Sequence, residues 1–140
     1  MSDIVAMLYE IKKLYGRLCK EVMDKYSLSR SELDILLFLY NNPDLNTAKD
    51  IVEKRGIIKS QVSMTLESLI KKEYVCALRD DHDKRIYHIH LLEASHPIIK
   101  DGLKIRETFN NVLFKNISNN DIDVFNYVMK SIYENAKEGK

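Results

Sequence analysis

Thr47 and Gly56 confine the middle of this chain to one local geometry, a short helix that must stop and then restart. Thr47-Ala48-Lys49-Asp50 has the spacing of a capping box, with a hydroxyl at the helix start and an acid at the third helical position. Gly56 takes the left-handed conformation that closes a helix. A second helix follows almost at once, and two short helices about a glycine turn form a helix-turn-helix. On a helical wheel Val62, Leu66 and Leu69 share one face, which is the buried one. Opposite them stand Ser60, Met64 and Lys71, flanked by Gln61, Ser63, Thr65 and Ser68, with Lys59 at the helix start. That outer face is short, polar and nearly uncharged except at its ends. Such a face suits the base edges of a DNA major groove, where an apolar Met64 could touch a thymine methyl.

The next stretch adds a second argument. Residues 74–78 and 85–92 are rich in Val, Ile, Tyr and Leu and read as strands. Between them Arg79-Asp80-Asp81-His82-Asp83-Lys84 is a loop with no apolar side chain to bury. A hairpin tip of this kind places Lys84 and Arg85, with Asp83 beside them, next to the phosphate backbone flanking a recognition helix.

These residues resemble a MarR-type winged helix-turn-helix transcription regulator over nearly the whole chain. The resemblance rests on Leu28-Ser29-Arg30-Ser31-Glu32-Leu33 opening a buried helix, on Val62-Ser63 in the second helix, and on the Asp83-Lys84-Arg85 step. It implies a homodimer on a pseudo-palindromic operator, often released by a small-molecule effector or by cysteine oxidation. It also implies that Asp83 orients Arg85, which reaches the backbone or minor groove. Three positions depart from the family pattern. Ile58 replaces a serine that usually caps the recognition helix, Ala77 replaces a common wing arginine, and Leu91-Leu92-Glu93-Ala94-Ser95 replaces Leu-Thr-x-x-Gly.

The expected fold is mainly α with a small β-hairpin wing, a winged helix-turn-helix with terminal dimerisation helices. At 140 residues the chain is expected to form a single domain, 1–140. Residues 28–92 would be the reader of double-stranded DNA, and 1–27 and 95–140 the dimerisation helices. Ile4, Met7, Leu8, Ile11, Leu14, Tyr15, Leu18, Val22 and Tyr26 recur at helical steps and predict one long amphipathic helix. Ser29-x-x-Glu32 is a second capping box, and the apolar run behind it ends at Asn41-Asn42-Pro43, since proline disfavours a helix just before it. Ser95-His96-Pro97 reads as a fresh helix start reaching about Lys115. Gly102 inside that helix marks a close crossing, a hinge, or a tolerated glycine. Ser118-Asn119-Asn120-Asp121 starts a last helix with Ile122, Phe125, Val128, Met129 and Ile132 on one face, and residues 134–140 are expected to fray. The two terminal helices share apolar stripes that one reader cannot cover. Packed about a two-fold axis, they would hold two readers one DNA turn apart, roughly 34 Å.

Charge alone does not settle the partner. The net charge is +1, and residues 53–90 hold eight Lys or Arg against six Asp or Glu, a weak local excess. The start of the chain is broken by charge within its first turns, so no signal peptide is expected, and the longest apolar run, residues 35–40, is too short for a membrane span. Two cysteines do not make a disulfide framework and suit a reducing cytoplasm.

Catalysis finds no phosphate loop, nucleophile elbow or rigid acid–base pair, so no enzyme and no cofactor is expected. His88-x-His90 lie on one strand face, but no further ligands stand at metal-binding spacing, so no metal is assigned. Two rivals to an effector-controlled DNA reader stay open. One is a thiol-based redox sensor at Cys19, with Arg17 and Lys20 near it in sequence. The other is a winged helix that binds protein through Met64. Tyr9, Tyr15, Phe38 and Tyr40 could line an effector pocket or serve as core.

Overall fold

Short polar side chains set where the helices of this protein begin. The structure, a computed structural model, describes residues 3–139. Asp3 accepts a hydrogen bond from the Val5 N–H at the head of α1, Ile4–Tyr26. Ser29 and Glu32 complete a reciprocal capping box at α2, Arg30–Asn41. Thr47 and Asp50 do the same at α3, Ala48–Arg55, which Gly56 ends with φ 64°. α4, Lys59–Lys71, is the helix after the turn. An antiparallel hairpin follows, β1 Val75–Arg79 and β2 Tyr87–Leu91, with Val75 opposite Leu91 and Arg79 opposite Tyr87. A single 3-10 turn, Glu93–Ser95, leads into α5, His96–Leu113, and Ser118 caps α6, Asn119–Glu138. This is the expected mainly helical fold with a small hairpin.

The chain divides into two compact units, one ending at Arg106 and the other beginning at Glu107. α2 is the centre of the first. Leu33, Ile35, Leu36, Leu37, Phe38 and Leu39 are all buried, joined by Cys19 and Val22 of α1, Ile51 of α3, and Val62, Leu66 and Leu69 of α4. Val75 and Ile89 of the hairpin and Ile98, Ile99 and Ile105 of α5 close the same core. Each such aliphatic side chain stabilises the fold by about 1.5–3 kcal/mol on burial. Gly102 is a close crossing: a Cβ there would lie 2.7 Å from Cδ2 of Leu37, so α5 could carry one against α2 only if Leu37 shifted.

The second unit holds the end of α5 and α6. Phe114 and Phe125 meet edge to face at 5.4 Å within it. None of the described residues of α6 is buried, and Phe125, Val128, Met129 and Ile132 form an exposed apolar stripe.

Two local expectations need correction. Arg79 belongs to β1 rather than the tip, because its guanidinium donates to the Tyr87 hydroxyl at 2.6 Å across the ladder. The helix start expected at Ser95-His96-Pro97 is found at His96, where a 3-10 turn holding the buried Ser95, whose hydroxyl donates back to the Leu92 carbonyl, runs into α5. The tail does not fray after residue 134. With no breaker before Gly139, α6 continues to Glu138, while Lys140 lies outside the described residues, as do Met1 and Ser2.

Candidate nucleic-acid interface

α4 is seated by contacts on its inner side. Val62, Leu66 and Leu69 enter the core, and its C-terminal end is tied by the Lys72 ammonium, which donates to Glu32 Oε1 and to the Ser27 carbonyl, each at 3.0 Å. The Ser68 hydroxyl donates to Glu32 Oε2 at 2.9 Å, so Glu32 holds α4 at two points. Burial pushes the Glu32 carboxyl up, but the Ser29 N–H, Lys72 and Ser68 outweigh it and hold the carboxyl below its ordinary range. At the other end, Ile58 occupies the N-cap position with no side-chain hydrogen bond. The departure read at that position therefore leaves the first N–H groups of α4 uncapped.

The outward face of α4 carries Lys59, Ser60, Gln61, Ser63, Met64 and Lys71, all exposed, with Met64 at 71%. Gln61 is not free; its Nε2 donates to Ser31 Oγ at 2.7 Å, which places the start of α2 beside this face. Thr65 differs from expectation. It is 7% exposed and its hydroxyl donates to the Gln61 carbonyl one turn earlier, so it faces protein rather than a partner. Ser68, bound to Glu32, is likewise turned inward.

The hairpin tip is organised by two aspartates. Asp83 takes Arg85 from three donors: the backbone N–H at 3.0 Å, Nε at 3.1 Å and Nη2 at 3.0 Å. The Arg85 side chain is 90% exposed, and its contact with Asp83 lowers the Asp83 carboxyl below its ordinary range. Lys84 is exposed beside it. Asp80 caps the loop from within, its Oδ2 accepting from the N–H groups of His82 and Asp83, both at 2.9 Å. No spacing signal in the sequence distinguished Asp80 from its neighbours; its role depends on the loop closing over it.

These elements converge. Thr47 and Lys49 from the start of α3, Ser63 and Glu67 from α4, and Arg85 and Tyr87 from the hairpin line one cavity of 490 Å³. Leu66, Ile70, Ala77, Ile86 and Ile89 make its apolar walls. Thr47 contributes from its capping position, its hydroxyl accepting from the Asp50 N–H. Ala77 opens this space, since a larger side chain at that position of β1 would fill it.

Cys19 is fully buried, and burial pushes its thiol up despite Arg30 nearby. A redox sensor needs an exposed, stabilised thiolate, so Cys19 is a core residue. Of the candidate pocket aromatics, Phe38 is core, Tyr15 is half-buried, and Tyr9 and Tyr40 are exposed. Among the described residues, no three metal-ligating side chains cluster, and no helix is long and apolar enough to cross a membrane.

Helix, turn, helix and charged hairpin define a winged helix-turn-helix protein. Residues 26–86 match the model of the MarR family. Over 137 residues the chain is 22% identical to the uncharacterized HTH-type transcriptional regulator YsmB of Bacillus subtilis, covering 98% of this chain and 93% of that one. Its fold is that of a MarR transcriptional regulator from Methanosarcina mazei Go1, with TM-score 0.84, 18% identity and 96% of each chain covered. It is equally similar to a putative MarR family regulator from Listeria monocytogenes solved with a 26mer DNA, at TM-score 0.83, 16% identity, and 100% and 97% coverage. The chain thus has the fold of MarR transcriptional regulators, and its residues 26–86 are similar to the MarR family.

Proposed function

We propose that this protein is a cytoplasmic homodimer that binds a pseudo-palindromic operator in double-stranded DNA and is controlled by a small effector. One observation carries the DNA reading: Thr47, Ser63 and Arg85, from three separate elements, line a single concavity beside the polar face of α4. On this reading Ser60, Gln61, Ser63 and Met64 meet base edges, while Lys59, Lys71, Lys84 and Arg85 meet phosphates, with Asp83 as the orienting group. Thr47 stands at the margin, and Thr65 supports the helix from inside.

The exposed stripe of α6 and the exposed Ile4, Met7 and Leu8 at the start of α1 support the homodimer, because apolar faces of this kind are covered by a partner chain. Residues 28–92 then act as the reader, with the helices on either side in dimerisation. The cavity supports effector control. Its volume falls in the usual range for small-molecule sites, and Lys49, Glu67 and Arg85 on an apolar lining suit a ligand with an apolar body and a polar group. A ligand there would compete with DNA for Arg85.

Selection of bound duplexes from a random pool, followed by titration at several salt concentrations, tests the proposal. A selected consensus bound with an affinity that falls as salt rises is the expected result. A winged helix that binds protein through the exposed Met64 and Ile58 predicts no enriched duplex at all.

A further inference from the structure

His88 stands at the centre of a contact that the DNA-reading face does not itself use. Its Nε2 lies 2.7 Å from Oδ1 of Asp80 in the hairpin loop. Its Nδ1 lies 2.7 Å from Oδ1 of Asn46, the residue immediately before the Thr47 cap of α3. The Asn46 carbonyl also accepts from the Ile89 N–H at 2.8 Å. Asp80 in turn holds the loop N–H groups of His82 and Asp83, and Asp83 holds Arg85. A continuous chain of hydrogen bonds thus runs from the start of the helix-turn-helix through the His88 ring to the guanidinium at the wing tip.

Both ring nitrogens face oxygen atoms, and only the doubly protonated ring can donate to both. Once neutral, His88 keeps one donor. Its bond to Asp80 becomes weaker without the charge, and Asn46 must turn its amide to offer N–H to the other nitrogen. We propose that His88 is a positioning residue for the wing, whose protonated form holds the Asp80 loop against the start of α3 and so sets Arg85 for DNA. This rests on the DNA reading above. The charged ring donates to both partners and the neutral ring to one, so the tether is tighter in the charged form.

The charges around the ring are consistent in sign. Asp80 is the carboxylate in contact with it, and its carboxyl is held well below the ordinary range by the Asp83 N–H first, then by His88 and the His82 N–H. Asp81, His82 and Asp83 share the loop, and Cys76 and His90 lie on the same strand face one pair further on. From the segment before α3 the facing group is the neutral Asn46.

Two measurements test this separately. In the free protein, the His88 ring nitrogens and the amides of His82, Asp83 and Ile89 are followed by ¹⁵N NMR from pH 5 to 8. The amides should move with the midpoint of the His88 ring, and Asn46→Asp should carry that midpoint upward. Amides that do not follow the ring overturn the tether. Affinity for a duplex selected from random DNA is then measured at pH 6 and pH 8. Loss of the charged bond should weaken the wild type by about fivefold more than His88→Gln, whose side chain does not titrate. Equal pH dependence in His88→Gln assigns the effect to His82 or His90 and overturns this use of His88. Coupled NMR titration with no duplex bound at either pH overturns the DNA reading and this role with it.

Discussion

Lys72, just past the end of α4, reaches back to the buried carboxylate of Glu32 in α2, with Nζ 2.9 Å from Oε2. The Glu32 side chain is 7% exposed and that of Lys72 35%, so the contact is shielded on one side only. The same carboxylate closes the capping box of α2 and takes the Ser68 hydroxyl, so one acid fixes the start of one helix and the end of another.

Glu32→Gln should therefore cost about 2 kcal/mol at pH 7, in the range for charged hydrogen bonds with allowance for the exposed lysine. Because the folded-state carboxyl is held below its unfolded value, its contribution is fully present above about pH 5 and is lost as pH falls through the lowered value. Urea unfolding at pH 7 and pH 3 checks this. The gap between wild type and Glu32→Gln should close at the lower pH. A gap of the same size at both would show that charge is not its source.

Gly102→Ala pits two effects against each other. Alanine favours a helix interior by about 1 kcal/mol, while a Cβ 2.7 Å from Leu37 overfills a core that has no slack. Overpacking of this kind costs about 1–3 kcal/mol, and Leu37 is fully buried, so it cannot swing aside into solvent. A net loss of about 1 kcal/mol is expected. Leu37→Ala in the same chain should remove the clash, giving a favourable coupling in a double-mutant cycle. Additive losses would mean that the two helices separate easily.

The helix boundaries were legible because caps act over three or four residues, and Ser29, Thr47 and Ser118 declare themselves in the sequence. The buried face of α4 followed from periodicity alone. Thr65 did not, because a threonine that returns its hydroxyl to the preceding turn has the same spacing as one that faces outward. Glu32 with Lys72 and His88 with Asn46 lie 40 and 42 residues apart, beyond any local pattern. Arg79 looked like a tip residue by charge, and only the pairing with Tyr87 draws it into the strand.

Ile58 offers a stabilising change. It sits at the N-cap of α4 in an extended conformation, φ −64° and ψ 146°, is 67% exposed, and caps nothing. Ile58→Ser places a hydroxyl where the N–H groups of the first turn lack a side-chain partner, at little loss of buried surface. Stability should rise by about 1 kcal/mol in chemical denaturation. A drop of similar size would mean that the exposed isoleucine is packed in solution, as it would be against a second molecule.

Arg85 carries the strongest prediction for DNA. The guanidinium is held by Asp83 through two side-chain bonds yet is 90% exposed, so it is oriented while still open to a phosphate. An arginine fixed in this way loses less conformational freedom on reaching DNA than a free lysine does. Position 77 of β1 is an alanine and Arg79 of the same strand is occupied with Tyr87, so the tip relies on Arg85 and Lys84. Arg85→Ala should weaken binding to a selected duplex severely. Where two copies bind one duplex, it should also flatten the dependence of log Kd on log salt by about two units, because each wing loses one phosphate contact. Asp83→Ala should act in the same direction but less, because it frees the arginine without removing its charge. Fluorescence anisotropy over a salt series, with circular dichroism to confirm folding, measures both. An unchanged slope for Arg85→Ala in a folded protein would remove the wing from the DNA contact.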